Sequence, residues 1–91
     1  NALMKQYQKL FRHDGANLRY TDEAVRAIAK KALQEKGNTG ARALRGVVDT
    51  LMTDIMYELP DHEPGQTYVL TEEVVNGTSK IKTEDEQKEA A

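Results

Sequence analysis

The feature that most restricts the fold of this chain is an apolar stripe near its middle. Leu44, Val47, Val48, Leu51, Met52, Ile55, Met56 and Leu59 recur at three- and four-residue intervals, the period of one helix face. The stripe spans about four turns. Pro60, which has no amide hydrogen and cannot extend a helix, ends it. Thr39 stands where the N-cap of this helix belongs.

Two further helices are expected before it. Leu3, Met4, Tyr7, Leu10 and Phe11 form the first stripe, closed near His13-Asp14-Gly15, where glycine suits a helix end. Ala16 to Tyr20 alternates apolar and polar, as a short strand does. Thr21 is an N-cap, and Asp22 and Glu23 suit the positive end of the helix that follows. Val25, Ile28, Ala29, Ala32 and Leu33 are its expected buried stripe.

Beyond Pro60, Asp61-His62-Glu63-Pro64-Gly65 is a turn-rich connector. Gln66 to Leu70 is expected to be a strand with Tyr68 and Leu70 on one face. Thr71 to Val75 fits either one helical turn or continued strand, and Asn76-Gly77 signals a tight turn. Thr78 to Lys82 is expected to form a last strand around Ile81. The fold class is therefore α+β, with three helices and a small two- to three-stranded sheet at one side. Residues 1–82 form one domain, and the acidic, polar stretch 83–91 is expected to be a disordered tail.

Composition narrows the function. Ninety-one residues suit one small domain with a modest aliphatic core. Thirteen Lys and Arg against fifteen Asp and Glu offer no basic field, so nucleic acid is not an expected partner. Without cysteine there is no disulfide or thiolate metal site, which fits a reducing compartment. No apolar run reaches the ~18 residues of a membrane span, and the chain does not begin with Met. It reads as a piece of a longer, cytoplasmic protein.

Catalytic motifs are missing. His13 and His62 have no partner at metal-ligand spacing and read as solvated; no metal site is expected. There is no phosphate-binding glycine loop and no nucleophile elbow. Met4, Met52 and Met56 read as core filler. Tyr7, Tyr20, Tyr57 and Tyr68 read as core-edge residues with wet hydroxyls.

Arg42 departs from its local rules. It falls in the first turn of the third helix, where a cation opposes the helix dipole at a cost of ~0.3–1 kcal/mol. Thr39, Asn38, Arg45 and Gly46 are its neighbours at three and four residues, and none can pair with it. Arg45, by contrast, has Asp49 four residues on. Gly40 and Ala41 leave the approach to Arg42 open. A helix start with free N–H groups and an unpaired guanidinium suits an anion, phosphate above all. An ordinary surface arginine is the competing reading, and the residues alone leave both open.

Three segments together carry a resemblance. NALMKQYQKLF, LRYTDEAVRAIAKKALQEK and TGARALRGVVDTLMTDIMYELP resemble the C-terminal small (lid) subdomain of ClpX-type AAA+ unfoldases, from Asn1 to about Lys82. The resemblance implies that Arg42 is the sensor-2 residue, reaching the γ-phosphate of ATP, with Ala41 and Gly40 allowing close backbone approach. It implies ATP or ADP with Mg held mainly by a large subdomain outside this chain, and zinc in a separate N-terminal domain. The implied partners are the large subdomain of the same and the neighbouring subunit of a homohexamer, the ClpP peptidase through other regions, and protein substrates. By itself this chain is not expected to hydrolyse ATP. Gly37 and Asn38 lengthen the loop before the motif relative to most ClpX proteins, closer to HslU. The lids of HslU or Lon are thus near alternatives, and a nucleotide-independent helical adaptor or assembly module is a more distant one.

Overall fold

The computed structural model describes residues 2–34, 40–59 and 65–86. Its elements run α1 (Ala2–His13), β1 (Asn17–Tyr20), α2 (Asp22–Leu33), α3 (Gly40–Glu58), β2 (Thr67–Leu70), α4 (Glu72–Asn76) and β3 (Lys82–Thr83). The α+β class and its three principal helices follow the pattern of the sequence. The expected positions of Thr39, Pro60 and His62, and the loop residues Gly37 and Asn38, lie outside the described residues.

Capping chemistry sets most boundaries. The Thr21 hydroxyl accepts from the Ala24 amide at 3.0 Å and starts α2; that of Thr71 accepts from Val74 at 3.4 Å and starts α4. Gly15 closes α1 at φ +84°. Its amide donates to the Arg12 carbonyl at 3.0 Å, and the Ala16 amide donates back to Phe11 at 2.8 Å. This paired bonding satisfies two orphan carbonyls of the helix end. Gly77, at φ +81°, closes α4 by the same pair of bonds, to Val74 and from Thr78 to Glu73. The tight turn expected at Asn76-Gly77 is thus the C-terminus of α4.

The sheet has the order β1-β2-β3. β1 and β2 are parallel, Leu18 opposite Tyr68 and Tyr20 opposite Leu70. Parallel neighbours need a crossover, which α2 and α3 supply. β3 is antiparallel to β2 through Val69–Lys82 and Tyr68–Thr83. It therefore begins later than the strand expected around Ile81. Thr83, expected to open the tail, lies inside the sheet.

Residues 84–86 are helical, and 87–91 lie outside the described residues. The helical turn is held by a reciprocal cap. The Thr83 amide donates to Glu86 Oε1 at 3.0 Å, and the Glu86 amide donates to Thr83 Oγ1 at 3.2 Å. Glu84 pairs with Arg19 of β1.

The core joins Met4 and Phe11 of α1, Leu18 of β1, Val48, Met52 and Ile55 of α3, Tyr68 and Leu70 of β2, and Val74 and Val75 of α4. α2 contributes Ala24, Ala27 and Ile28, of which only Ile28 belongs to the expected stripe. Val25 is half-buried, Ala29 is exposed, and Leu33 is 87% exposed. Packing against both α3 and α4 turns the helix so that its small residues face inward, where close helix approach favours alanine. Tyr68 is buried in the core, edge-on to Phe11 at 6.2 Å between ring centroids, whereas Tyr57 is 90% exposed. No helix among the described residues is long and apolar enough to cross a membrane.

Candidate functional site

The two described ends that begin α2 and α3 have opposite electrostatics. α2 opens with Asp22 and Glu23 behind the Thr21 cap, the arrangement that suits a positive helix end. α3 opens with Gly40, Ala41 and Arg42 and has no acidic residue in its first turn. Amides of a first turn have no partner within their own helix. Here they lie beside a cation in place of a carboxylate.

Arg42 is exposed. The ion pairs among the described residues are Arg19–Glu84, Arg26–Glu23 and Arg45–Asp49, and Arg42 joins none of them. The guanidinium neither enters the core nor meets a described carboxylate. Gly40 and Ala41 are the first two residues of α3, so their backbone flanks the same end. A planar cation beside the amides of a helix first turn can take an oxyanion through charge-assisted hydrogen bonds. It offers no nucleophile and no general base.

Two turns further along α3 lies a second cluster, of which the sequence announced the Arg45–Asp49 pair but not Tyr7. The Tyr7 hydroxyl, on α1, donates to Asp49 Oδ1 at 2.6 Å. The other carboxylate oxygen, Oδ2, lies 3.7 Å from Arg45 Nε. Partial burial, and then the hydrogen bond and negative charge of Asp49, push the Tyr7 phenol up to about 12; the Arg45 charge opposes them. The expected Arg45–Asp49 spacing is realised. The expected wet hydroxyl of Tyr7 is corrected, because its position between Met4 and Phe11 on one helix stripe carries it toward α3. A tyrosine within an otherwise apolar stripe was the available signal, since a half-buried hydroxyl seeks a partner.

Elsewhere, a groove of about 780 Å³ runs between the middle of α3 and residues 74–81, with Gly46, Val47, Leu51 and Ile81 among its lining. Arg42 is not part of it. Among the described residues no three His, Cys, Asp or Glu side chains gather as a metal site. His13 is exposed at the last position of α1.

Comparison with known proteins supplies a family context for this arrangement. Residues 1–79 match the family model described as the C-terminal, D2-small domain of ClpB protein. The ATP-dependent Clp protease ATP-binding subunit ClpX of Treponema denticola is 37% identical over 90 residues, covering 96% of this chain and 21% of that protein. The ATP-dependent protease ATPase subunit HslU of a Thermoanaerobacter species is 45% identical over 78 residues, covering 82% of this chain and 17% of that protein. The chain thus spans about a fifth of the length of these curated relatives.

Proposed function

The chain belongs to the ClpB D2-small family, the C-terminal small subdomain of AAA+ ATPases, and from that premise we propose that it is a nucleotide-responsive lid in which Arg42 acts as the sensor-2 arginine. The observation that carries this reading is the start of α3. A cation stands there against the helix dipole, exposed and outside every described ion pair. A residue that breaks a local rule without local compensation is a candidate for a role outside its own domain.

In this reading ATP, with Mg, is held mainly by a large subdomain elsewhere in the full-length protein. This chain adds the Arg42 guanidinium toward the terminal phosphate, and the amides of Gly40 and Ala41 allow close approach. The planar fork of Arg42 neutralises and orients that phosphate. Losing the contact after hydrolysis frees the lid to rotate, which changes the angle between subunits of a ring and pulls on bound protein substrate. The apolar core that joins α1, α3 and β2 keeps the lid stiff enough to carry that force.

The printed names of the relatives support an ATP-binding partner of a protease. The longer match, 90 residues, favours a ClpX-like lid that serves delivery to ClpP. A higher identity over 78 residues favours the HslU-like alternative.

The test is Arg42→Ala and Arg42→Lys in the full-length protein. Both variants are expected to keep their fold and lose ATP-coupled unfolding, since lysine retains the charge without the fork. Unfolding at the unaltered rate in both removes Arg42 from the mechanism. An upstream sequence without GxxxxGK[ST] would instead favour a nucleotide-independent adaptor.

A further inference from the structure

The pair formed by Tyr7 and Asp49 joins two helices that touch within the core but have different main partners. α1 packs chiefly on β1, and α3 packs chiefly on α2. Met4 and Phe11 pin α1 to the core by apolar contact. Such contact is non-directional and fixes distance better than rotation. A hydrogen bond of 2.6 Å to one carboxylate oxygen, with Arg45 near the other, adds the missing direction.

Asp49 also sits in a telling place on α3. It lies seven residues after Arg42, about two turns along the helix, and therefore on nearly the same side. Arg45 stands between them on that side. The row Arg42, Arg45, Asp49 leads from the open helix start to the hydroxyl of α1.

We propose that Tyr7 and Asp49 form a strut that carries a rotation of α3, set at Arg42, to α1. The proposal rests on the lid reading above, in which an anion contact at Arg42 fixes the orientation of α3. In the family the domain is C-terminal. On that reading α1 is the element through which the lid meets the rest of the ATPase, and the strut makes α1 answer to the state of the phosphate. Tyr7 and Asp49 are positioning residues: neither touches the nucleotide.

The test is amide hydrogen exchange on the full-length protein, with and without a non-hydrolysable ATP analogue and Mg. In the unaltered protein the analogue slows exchange both in the first turns of α3 and along residues 4–13. In Tyr7→Phe and in Asp49→Asn the response at α3 persists, while that of α1 falls by about fivefold or more, the size of an ordinary coupling between sites. Asp49→Glu, which keeps the carboxylate, retains most of the α1 response. A merely structural role would loosen α1 equally with and without the analogue.

The strut is overturned if α1 responds as strongly in Tyr7→Phe as in the unaltered protein. It is equally overturned if α1 of the unaltered protein ignores the analogue while α3 responds. If a variant does not fold, the unaltered protein and Asp49→Glu still decide between these outcomes. Failure of the lid reading looks different: the analogue then leaves α3 itself unchanged, or Arg42→Ala responds like the unaltered protein.

Discussion

The hydroxyl of Tyr7 on α1 is hydrogen-bonded at 2.6 Å to a carboxylate oxygen of Asp49 on α3, forty-two residues away in sequence. The neutral phenol is the form that can donate to this carboxylate, and its raised pKa of about 12 follows from burial first and from Asp49 second. A phenol whose pKa is raised on folding contributes stability that is fully present below pH ~10, the value of an unperturbed tyrosine. That contribution is lost as the pH rises through about 12. Ultraviolet titration of the chain should show Tyr7 among the late-ionising tyrosines, beside Tyr68, whose burial also raises its phenol. Asp49→Asn should move Tyr7 back toward 10 without reaching it, since burial remains. An unchanged titration in that variant would refute the pairing.

Arg42 is expected to be slightly unfavourable for the domain that carries it. Arg42→Ala removes a cation from a positive helix end and substitutes the best helix former, so stability should hold or rise by ~0.3–1 kcal/mol. Urea denaturation of the chain reads this directly. A clear loss of stability would mean that the guanidinium has an intradomain partner.

Two glycines with equally empty surroundings should respond with opposite sign. A Cβ at Gly46 or at Gly77 would meet nothing within 4 Å. Gly46 lies inside α3, where alanine is favoured over glycine by ~0.5–1 kcal/mol. Gly46→Ala should therefore stabilise. Gly77 has φ +81°, a left-handed conformation costing an L-residue ~1–2 kcal/mol, and Gly77→Ala should destabilise. Thermal melts of both variants decide the matter, and a loss at Gly46 would contradict the open space seen on that face of α3.

The cap between Thr83 and Glu86 predicts local order with a pH signature. Hydrogen bonds from the Thr83 amide and with its hydroxyl, then the Lys82 charge, hold the Glu86 carboxyl below its ordinary value. A lowered carboxyl pKa means that the bonded form is kept above the unfolded value and is given up as the pH falls through the folded one. Amide exchange at residues 84–86, taken relative to its intrinsic rate at each pH, should therefore be slow near neutral pH and faster in acid. Thr83→Ala should speed it at all pH values. Equal exchange in both proteins would return these residues to the tail that composition suggested.

The four late residues Thr83 to Glu86 illustrate how a signal can be present and outweighed. T-x-x-E is a capping box in the sequence, yet a run of acidic and polar residues argued for disorder. Pairing of Thr83 with Tyr68 and of Glu84 with Arg19 supplies the tertiary anchor that composition does not report.

The local features were legible without coordinates. The stripe of α3, the Thr21 cap, the glycine end of α1 and the absence of partners three or four residues from Arg42 all depend on neighbours within one or two helical turns. Tertiary structure decided the rest. It turned α2 to bury Ala24, Ala27 and Ile28 and to leave Leu33 in solvent, because alanine is small enough to face either a neighbouring helix or water. It set β1 beside β2 in parallel and brought Tyr7 to Asp49. Those choices join residues far apart in the chain, and short-range periodicity records which residues share a face but not what that face meets.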